Sequence, residues 1–351
     1  MQTLLRLTAV LILSGGLISC GPSLYNQVYP TLIDGKYDSE FPYRACSEQL
    51  EEISESVLMV NAVAYYRSYS FGAEEHIGPG DITPAFLNAR ARSVMTTNQA
   101  AGTATVIGCE NRRVVLLTCA HVVGFPDTEA TYYFNEEHHS TGFLHTIAFK
   151  EKQTNYVSVL PEGGELQILA LDRNLDVALL GKTFDVEPFP PLKAFMYPAG
   201  HARELEWGTF VYLFGYPSGH KMVTKAIVSS PNRDRRGTFL VDAVFSRGFS
   251  GGIALAIRDG VPNFELVGIV KLVSGHSEYY LAPETADGMV DYDPTIPYKG
   301  DLFVDRRTEI EYGIVQAVPM EAILEFIDSS QAQLQPYGYV VHFTPPKSKT
   351  P

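Results

Sequence analysis

The 351-residue sequence has few cysteines, one tryptophan and fewer basic than acidic residues. It contains 27 Lys and Arg against 40 Asp and Glu, which gives a formal net charge of -13. Because no basic patch balances this charge, the composition argues against a nucleic acid as a partner. The four cysteines include no C-x-x-C pair of the kind that binds metals. We therefore expect neither a metal ion nor a cofactor.

Apolar runs long enough to span a bilayer are also absent after the first twenty residues. Those twenty, "MQTLLRLTAVLILSGGLISC", have one early cation, a short apolar run and then small residues. This order is typical of a secretory signal peptide rather than a transmembrane helix. The segment "LISC", which ends at Cys20, resembles the lipobox of bacterial lipoproteins. That resemblance implies cleavage before Cys20 and a lipid on its sulfur, whereas the alternative is an ordinary signal peptide with an incidental cysteine.

The lipobox resemblance predicts how the N-terminal part of the chain is organised. We expect a signal peptide over residues 1–19, a lipid-anchored tether over residues 20–46, and contact with a membrane surface. Gly21 stands where an aspartate is expected for retention in the inner membrane, so we expect the periplasmic side of the outer membrane in the cell envelope. An exported protein can keep disulfides. Three cysteines remain, so at most one internal bridge can form, and its pairing is open among Cys46, Cys109 and Cys119.

The remaining sequence is a succession of strand-like segments rich in β-branched and aromatic residues. Convincing helical spacing is confined to "MEAILEFIDSSQAQL", which begins at Met320, and Ser47 is a plausible N-cap of a short helix. Residues 72–98 have no clear alternation and are expected to form a long surface loop. Because no helices alternate with the strands, the pattern favours an all-β fold of antiparallel barrels or a sandwich.

Three segments carry side chains suited to nucleophilic catalysis. Ser250 lies among glycines in "DAVFSRGFSGGIALAI", His121 ends the strand "LLTCAHVV", and Asp176 opens the strand "NLDVALLG". A hydrolytic serine needs a base to take its proton and a carboxylate to orient that base. In an α/β-hydrolase the acid and the histidine follow the serine, but here only His276 and His342 lie downstream, neither in a recognisable setting.

The order of these segments resembles the trypsin-like serine peptidases, and within them the HtrA type. The segments that carry the resemblance run from about Glu55 to Ile327: "GTATVI", "TCAH", "LEWGTFVYLFGYPSG", "VTKAIVSS", "DAVFSRGFSGG", "LVGIV" and "AVPMEAILEFI". The resemblance implies two six-stranded antiparallel β-barrels with a C-terminal helix and an active site between the barrels. The peptidase domain would cover residues 47–330, with barrels over about 47–190 and 191–330, followed by a tail over 331–351.

The same resemblance implies a role for each residue of the site. Ser250 would attack a peptide carbonyl, His121 would act as general base and then general acid, and Asp176 would orient the imidazole. The backbone N–H groups of Gly248 and Ser250 would form the oxyanion hole. The expected partners are therefore protein or peptide substrates, cut by endopeptidase action.

The family pattern places Val244 at the base of the pocket for the residue before the scissile bond, with Val273 and Ile314 on its walls. All three are apolar, so we expect a preference for small aliphatic side chains. Departures from the family pattern are Phe249 before the serine, Cys119 within the segment that resembles T-x-x-H, and Lys271. They keep open a catalytically silent binding or scaffold protein on a peptidase fold, and an esterase. No PDZ module follows the helix, so we expect no peptide capture of that kind.

Other polar residues admit a functional interpretation but favour a structural one. Asp172 is expected to be a turn residue rather than the acid of the triad, and Asp242 a hydrogen-bonding structural residue. The segment "EEHHS", Glu136 to Ser140, is expected to be an exposed turn rather than a metal site. Asp291 and Asp293 in "DYDPT" are expected to be loop carboxylates rather than calcium ligands.

Overall fold

The structure is a computed structural model that describes residues 33–42, 44–90, 92–135, 139–188, 191–243, 246–271, 276–283, 295, 302–309, 314–341 and 343. The described α-helices are α1 (Ser47–Glu55), α2 (Pro84–Ala89), α3 (Ala120–Val123) and α4 (Met320–Leu334). The described strands are β1 (Val57–Ser70), β2 (Val94–Glu110), β3 (Arg113–Thr118), β4 (Thr128–Phe134), β5 (Ser140–Tyr156), β6 (Glu165–Asp172), β7 (Val177–Thr183), β8 (Phe210–Gly215), β9 (Met222–Ser230), β10 (Phe239–Val241), β11 (Ile253–Ile257), β12 (Phe264–Lys271), β13 (His276–Pro283), β14 (Leu302–Glu309) and β15 (Val315–Pro319).

The first barrel is built from the N-terminal strands. Its antiparallel sheet runs in the order β1-β2-β3-β7-β6-β5, and β5 also pairs with β1, which closes the ring at six strands. Strand β4 adds to β5 outside this ring. Closure leaves few free strand edges, because each of the six strands has a neighbour on both sides over part of its length.

The second barrel follows with strands β8 to β12 and β15. It is closed in the order β10-β15-β12-β11-β8-β9, and every pair in it is antiparallel. Strands β13 and β14 form a separate two-stranded sheet between β12 and β15 in the chain. The predicted fold of two six-stranded antiparallel barrels with a C-terminal helix is therefore confirmed.

The two barrels pack through strands that are apolar on both faces. In β8, Val211 and Leu213 point into the second barrel, whereas Tyr212 and Phe214 belong to a large core shared with the first barrel. The C-terminal helix α4 adds Ile323 to that same shared core. Burial on both faces explains why β8 and β11 read as continuous apolar runs and not as alternating strands.

The N-terminal strap, which we define as residues 33–42, lies on the second barrel. The Asp38 amide donates to the Ile257 carbonyl at 2.9 Å, and the Phe210 amide donates to the Asp38 carbonyl at 2.9 Å. The Gly35 amide also donates to the Asp259 carboxylate at 2.7 Å. The strap therefore extends the sheet contacts of the barrel at its outer surface.

Two local predictions were wrong. Residues 72–98 contain α2 and the first five residues of β2, because the strand continues well beyond the "GTATVI" motif and pairs with β1 along its length. Helix α1 includes Ser47 and has Cys46 as its N-cap, with no side-chain cap.

The described cysteines and helices test two further expectations. Cys46, Cys109 and Cys119 are all free, so none of the open pairings forms. None of the helices in the described ranges is long and apolar enough to cross a membrane. The signal peptide and Cys20 lie outside the described residues.

Candidate active site

His121 lies on the short helix α3, directly after strand β3 of the first barrel. Its neighbours Ala120, Val122 and Val123 are buried and hold the turn against the barrel. The His121 side chain is 42% exposed, so it faces the surface of the domain. The change from a buried strand to a helical turn thus presents one imidazole at the barrel rim.

Asp176 lies immediately before β7, in the turn that joins β6 to β7. Its φ of 66° is in the left-handed region, which aspartate adopts more readily than most residues. The Asp172 carboxylate accepts from the Asn174 and Leu175 amides at 2.8 and 2.9 Å, so Asp172 serves the turn itself. Because β3 pairs with β7, this turn lies beside the end of β3.

A two-point contact joins His121 to Asp176. The His121 backbone amide donates to Asp176 Oδ1 at 2.9 Å, and Nδ1 lies 2.8 Å from Oδ2 and 3.0 Å from Oδ1. A carboxylate accepts hydrogen bonds only, so this contact favours the tautomer with its proton on Nδ1. The lone pair on Nε2 is then available to accept a proton. The pair has the geometry of a general base held in one orientation.

Ser250 lies between glycines whose conformation no other residue adopts easily. Gly248 has a φ of 99°, and a Cβ there would lie 2.3 Å from the Tyr216 carbonyl oxygen. Gly251 has a φ of 86°, and a Cβ there would lie 2.1 Å from the Thr103 carbonyl oxygen. The glycines around Ser250 are therefore required by both backbone angle and close packing.

Strand β2 of the first barrel holds this loop from one side. The Thr103 amide donates to the Ser250 carbonyl at 2.8 Å, and the Thr103 hydroxyl donates to the Gly248 carbonyl at 2.8 Å. The same hydroxyl accepts from the Tyr216 amide at 2.9 Å. Thr103 is fully buried and is a site residue that the sequence analysis missed, although it lies within the "GTATVI" motif.

The Val270 carbonyl joins the histidine segment to the serine segment. It accepts from the Gly251 amide at 2.9 Å and from the Cys119 thiol at 3.4 Å. Gly251 follows Ser250, and Cys119 precedes His121 by two residues. The structure thus brings the three predicted triad residues to adjoining backbone segments at the junction of the two barrels.

Among the described residues, the reacting groups of the serine loop lack two kinds of hydrogen bond. None joins the Ser250 hydroxyl to His121, although Ser250 is only 5% exposed. The N–H groups of Gly248 and Ser250 likewise have no acceptor among the described residues. Free N–H groups on a glycine-framed loop are what an oxyanion hole requires.

Two departures from the family pattern lie close to the site. Phe249 is 2% exposed and its ring packs into the core of the second barrel, so it does not enter the cleft. Cys119 is fully buried, and burial raises the pKa of its thiol well above the ordinary value. The Asp176 carboxylate raises that pKa further, whereas the Lys271 ammonium lowers it.

The remaining predicted residues are only partly described. Val244 and Val273 lie outside the described residues, as do Glu136, Asp291 and Asp293. Ile314 is 45% exposed and directly precedes β15. The Asp242 carboxylate accepts from the Ile227 amide at 2.7 Å, a structural contact between neighbouring segments of the second barrel.

Comparisons with known proteins give one family match and several similar solved structures. Residues 102–269 match the family model described as a trypsin-like peptidase domain. No curated protein sequence matches the chain. Among solved structures, the serine endoprotease from Yersinia pestis aligns with a TM-score of 0.39 and 15% identity, over 83% of this chain and 68% of that chain. Deg5 aligns with a TM-score of 0.35 and 15% identity, over 64% of this chain and 83% of that chain.

The matched range begins in β2 and ends in β12. It includes His121, Asp176 and Ser250, together with Thr103 and Gly248, which shape the serine loop. Residues 102–269 are therefore similar to a trypsin-like peptidase domain, and the paired imidazole and carboxylate lie within that range.

Proposed function

We propose that this chain is a serine endopeptidase that acts through His121, Asp176 and Ser250. The observation that carries the proposal is the two-point hydrogen bond between His121 and Asp176, at 2.8 to 3.0 Å, beside the glycine-framed loop of Ser250. The peptidase domain match supports the same reaction class. The fold alone carries many functions, so the proposal depends on these side chains.

The reaction begins when the Ser250 hydroxyl attacks the carbonyl carbon of a peptide bond. His121 Nε2 takes the hydroxyl proton, and Asp176 stabilises the imidazolium that forms. The proton then passes to the leaving amine, and an acyl-enzyme ester on Ser250 remains. Water, activated by the same imidazole, hydrolyses that ester and returns the free serine.

The N–H groups of Gly248 and Ser250 would stabilise the tetrahedral intermediate. Negative charge develops on the former carbonyl oxygen, and donors aimed at that oxygen lower the barrier most when they are preorganised. Loss of one such donor typically costs about 3 kcal/mol of transition-state stabilisation. The hydroxyl of Thr103, through the Gly248 carbonyl, positions the loop that carries both donors.

The substrate preference and the location follow from the sequence expectations. Val244, Val273 and Ile314 are apolar, so small aliphatic side chains before the scissile bond are the proposed preference. A lipid on Cys20 would anchor an HtrA-type enzyme at the periplasmic face of the outer membrane, where proteins of the cell envelope would be its substrates.

Labelling with a fluorophosphonate tests the reaction directly, because the probe needs a nucleophilic serine and not a known substrate. We expect the protein lacking residues 1–20 to be labelled, and Ser250→Ala to lose labelling. Ser246→Ala, four residues away on the same loop, is the matched control and should be labelled like the wild type. Absence of labelling in well-folded protein would favour a catalytically silent binding or scaffold protein, and a peptide library would then separate peptidase from esterase action.

A further inference from the structure

Three different metal-ligating side chains converge beside the histidine–aspartate pair. The Cys119 sulfur, a ring nitrogen of His121 and a carboxylate oxygen of Asp176 all lie within 4.8 Å of one another. Serine hydrolysis uses the imidazole and the carboxylate but has no use for a thiol at this position. Cys119 forms no disulfide, and its thiol donates a hydrogen bond to the Val270 carbonyl at 3.4 Å. The thiol is thus a ligand for which the reaction gives no role.

We propose that this cluster is an inhibitory site for a soft divalent cation such as Zn²⁺. The ligands are the Cys119 thiolate, His121 Nδ1 and the Asp176 carboxylate, which are the sulfur, nitrogen and oxygen donors that zinc binds in proteins. Bond lengths of about 2.0 to 2.3 Å place tetrahedral ligands roughly 3.3 to 3.6 Å apart. The observed separations bracket that range, since Nδ1 and Oδ2 are 2.8 Å apart and the sulfur is at most 4.8 Å away.

Charge and burial both suit a dication at this position. One thiolate and one carboxylate neutralise the ion, and a neutral assembly suits a cation beside the fully buried Cys119 sulfur. The Val270 carbonyl, already beside the sulfur, or a water molecule can complete the tetrahedron. The Lys271 ammonium acts on the same thiol and opposes a cation, so we expect weaker binding than at a structural zinc site.

The binding step balances without any change of oxidation state. The thiol proton leaves to solvent as the metal–sulfur bond forms. The proton on Nδ1 also leaves through solvent as the metal–nitrogen bond forms, and Nε2 takes up a proton in its place. An imidazole with its proton on Nε2 cannot accept the proton of Ser250, so the metal removes the general base without contacting the serine.

The inhibitory part of this inference rests on the proposed function, but metal binding does not. Cobalt(II) titration therefore comes first, because a thiolate bound to cobalt gives a sulfur-to-metal charge-transfer band that needs no catalysis. We expect the band in the protein lacking residues 1–20 and in Cys46→Ala, and its loss in Cys119→Ala and Cys119→Ser. Cys46 is a matched control because it is also buried, with its sulfur beside the Tyr212 hydroxyl instead of a histidine.

Fluorophosphonate labelling with and without zinc then measures the effect on Ser250. We expect zinc to slow labelling at least tenfold in the wild type and in Cys46→Ala, and to slow it much less in both Cys119 variants. Equal zinc inhibition in the Cys119 variants, or a cobalt spectrum without the sulfur band, would overturn the site. If the protein is never labelled but the cobalt band depends on Cys119, the metal site stands and the peptidase proposal fails.

Discussion

At the scale of single residues, Thr103 connects the serine loop to the first barrel through one hydroxyl. That hydroxyl donates to the Gly248 carbonyl and accepts from the Tyr216 amide, and it has no contact with solvent. Residues that touch the reacting atoms are not the whole site, because the loop that carries them must be held in place. Thr103 is a positioning residue in this sense.

Replacement of Thr103 by valine keeps the shape of the side chain and removes both hydrogen bonds. Each buried donor or acceptor left without its partner lowers folding stability by about 1 to 3 kcal/mol. The loop around Ser250 should therefore become less ordered. We expect kcat for peptide hydrolysis to fall tenfold or more while KM changes little. Thr103→Ser, which keeps the hydroxyl, should recover most of the loss. Equal kcat in the valine variant and the wild type would remove Thr103 from the site.

Thr103 also shows where sequence reasoning stops at this scale. His121, Asp176 and Ser250 were predicted because each lies in a short motif with a recognisable neighbour. The contact of Thr103 with Gly248 joins residues 145 positions apart, and no local pattern encodes such a contact. The motif shows that Cys119 lies two residues before His121, but only the fold shows that its sulfur lies within 4.8 Å of a ring nitrogen of that histidine.

At the scale of elements, the turn before Ser250 depends on glycine at position 248. The backbone there has a φ of 99° and runs against the Tyr216 carbonyl, so alanine would meet both strain and a clash. Gly208 separates these effects, because it has a φ of 82° and open space around a would-be Cβ. The pair therefore offers a matched comparison.

We expect Gly248→Ala to abolish labelling of Ser250 and to destabilise the protein by more than Gly208→Ala. Alanine in a left-handed conformation costs about 1 to 2 kcal/mol, which is the whole effect expected at Gly208. Thermal unfolding monitored by circular dichroism measures the loss of stability in both variants, and fluorophosphonate labelling measures the reactivity of Ser250. Full labelling of Gly248→Ala would mean that the turn does not set the oxyanion donors.

Prediction of the strands succeeded where apolar runs were bounded by turn residues and failed where a strand was polar. Strands β8 and β11 are buried throughout, and their unbroken apolar runs predict both strands. The first part of β2, from Val94, is exposed and pairs only with β1, so its hydrophobic pattern is weak. Pairing with a long neighbouring strand, not its own composition, makes this segment a strand.

At the scale of the whole molecule, the N-terminal strap carries a carboxyl group in an unfavourable setting. Asp38 is 7% exposed; Oδ2 accepts from the Gly260 amide at 3.1 Å, and Oδ1 is buried without a partner among the described residues. Burial, together with the nearby carboxylates of Glu40, Asp259 and Asp34, raises the pKa of Asp38 to about 7, although the hydrogen bond from the Gly260 amide acts to lower it.

Stability should therefore fall as the pH rises from about 4 to about 7. In that range the folded protein holds a proton on Asp38 that the unfolded chain has lost, so raising the pH favours unfolding. We expect a loss of about 1 to 2 kcal/mol across the range, below the full value of the shift because solvent screens part of the site. Calorimetry of the wild type and Asp38→Asn measures it.

The control for this experiment is Asp34→Asn on the same strap. The Asp34 carboxylate accepts from the Lys36 amide at an exposed position and contributes least of the three neighbouring carboxylates to the raised pKa of Asp38, so Asp34→Asn should change the pH dependence only slightly. Asp38→Asn should flatten the dependence whatever its effect on absolute stability. An unchanged slope in Asp38→Asn would show that other groups cause the loss.

Because the strap is docked on the barrel, it also limits the distance between the proposed active site and a membrane to which Cys20 is anchored. In the sequence, fourteen residues, 21–34, lie between Cys20 and Gly35, whose amide donates to Asp259 of the second barrel, and a chain of this length spans at most about 50 Å when fully extended. A tether of this length would keep the proposed active site close to the bilayer. Polypeptides emerging from or inserted in the membrane would then come within range, whereas those diffusing through the middle of the compartment would escape.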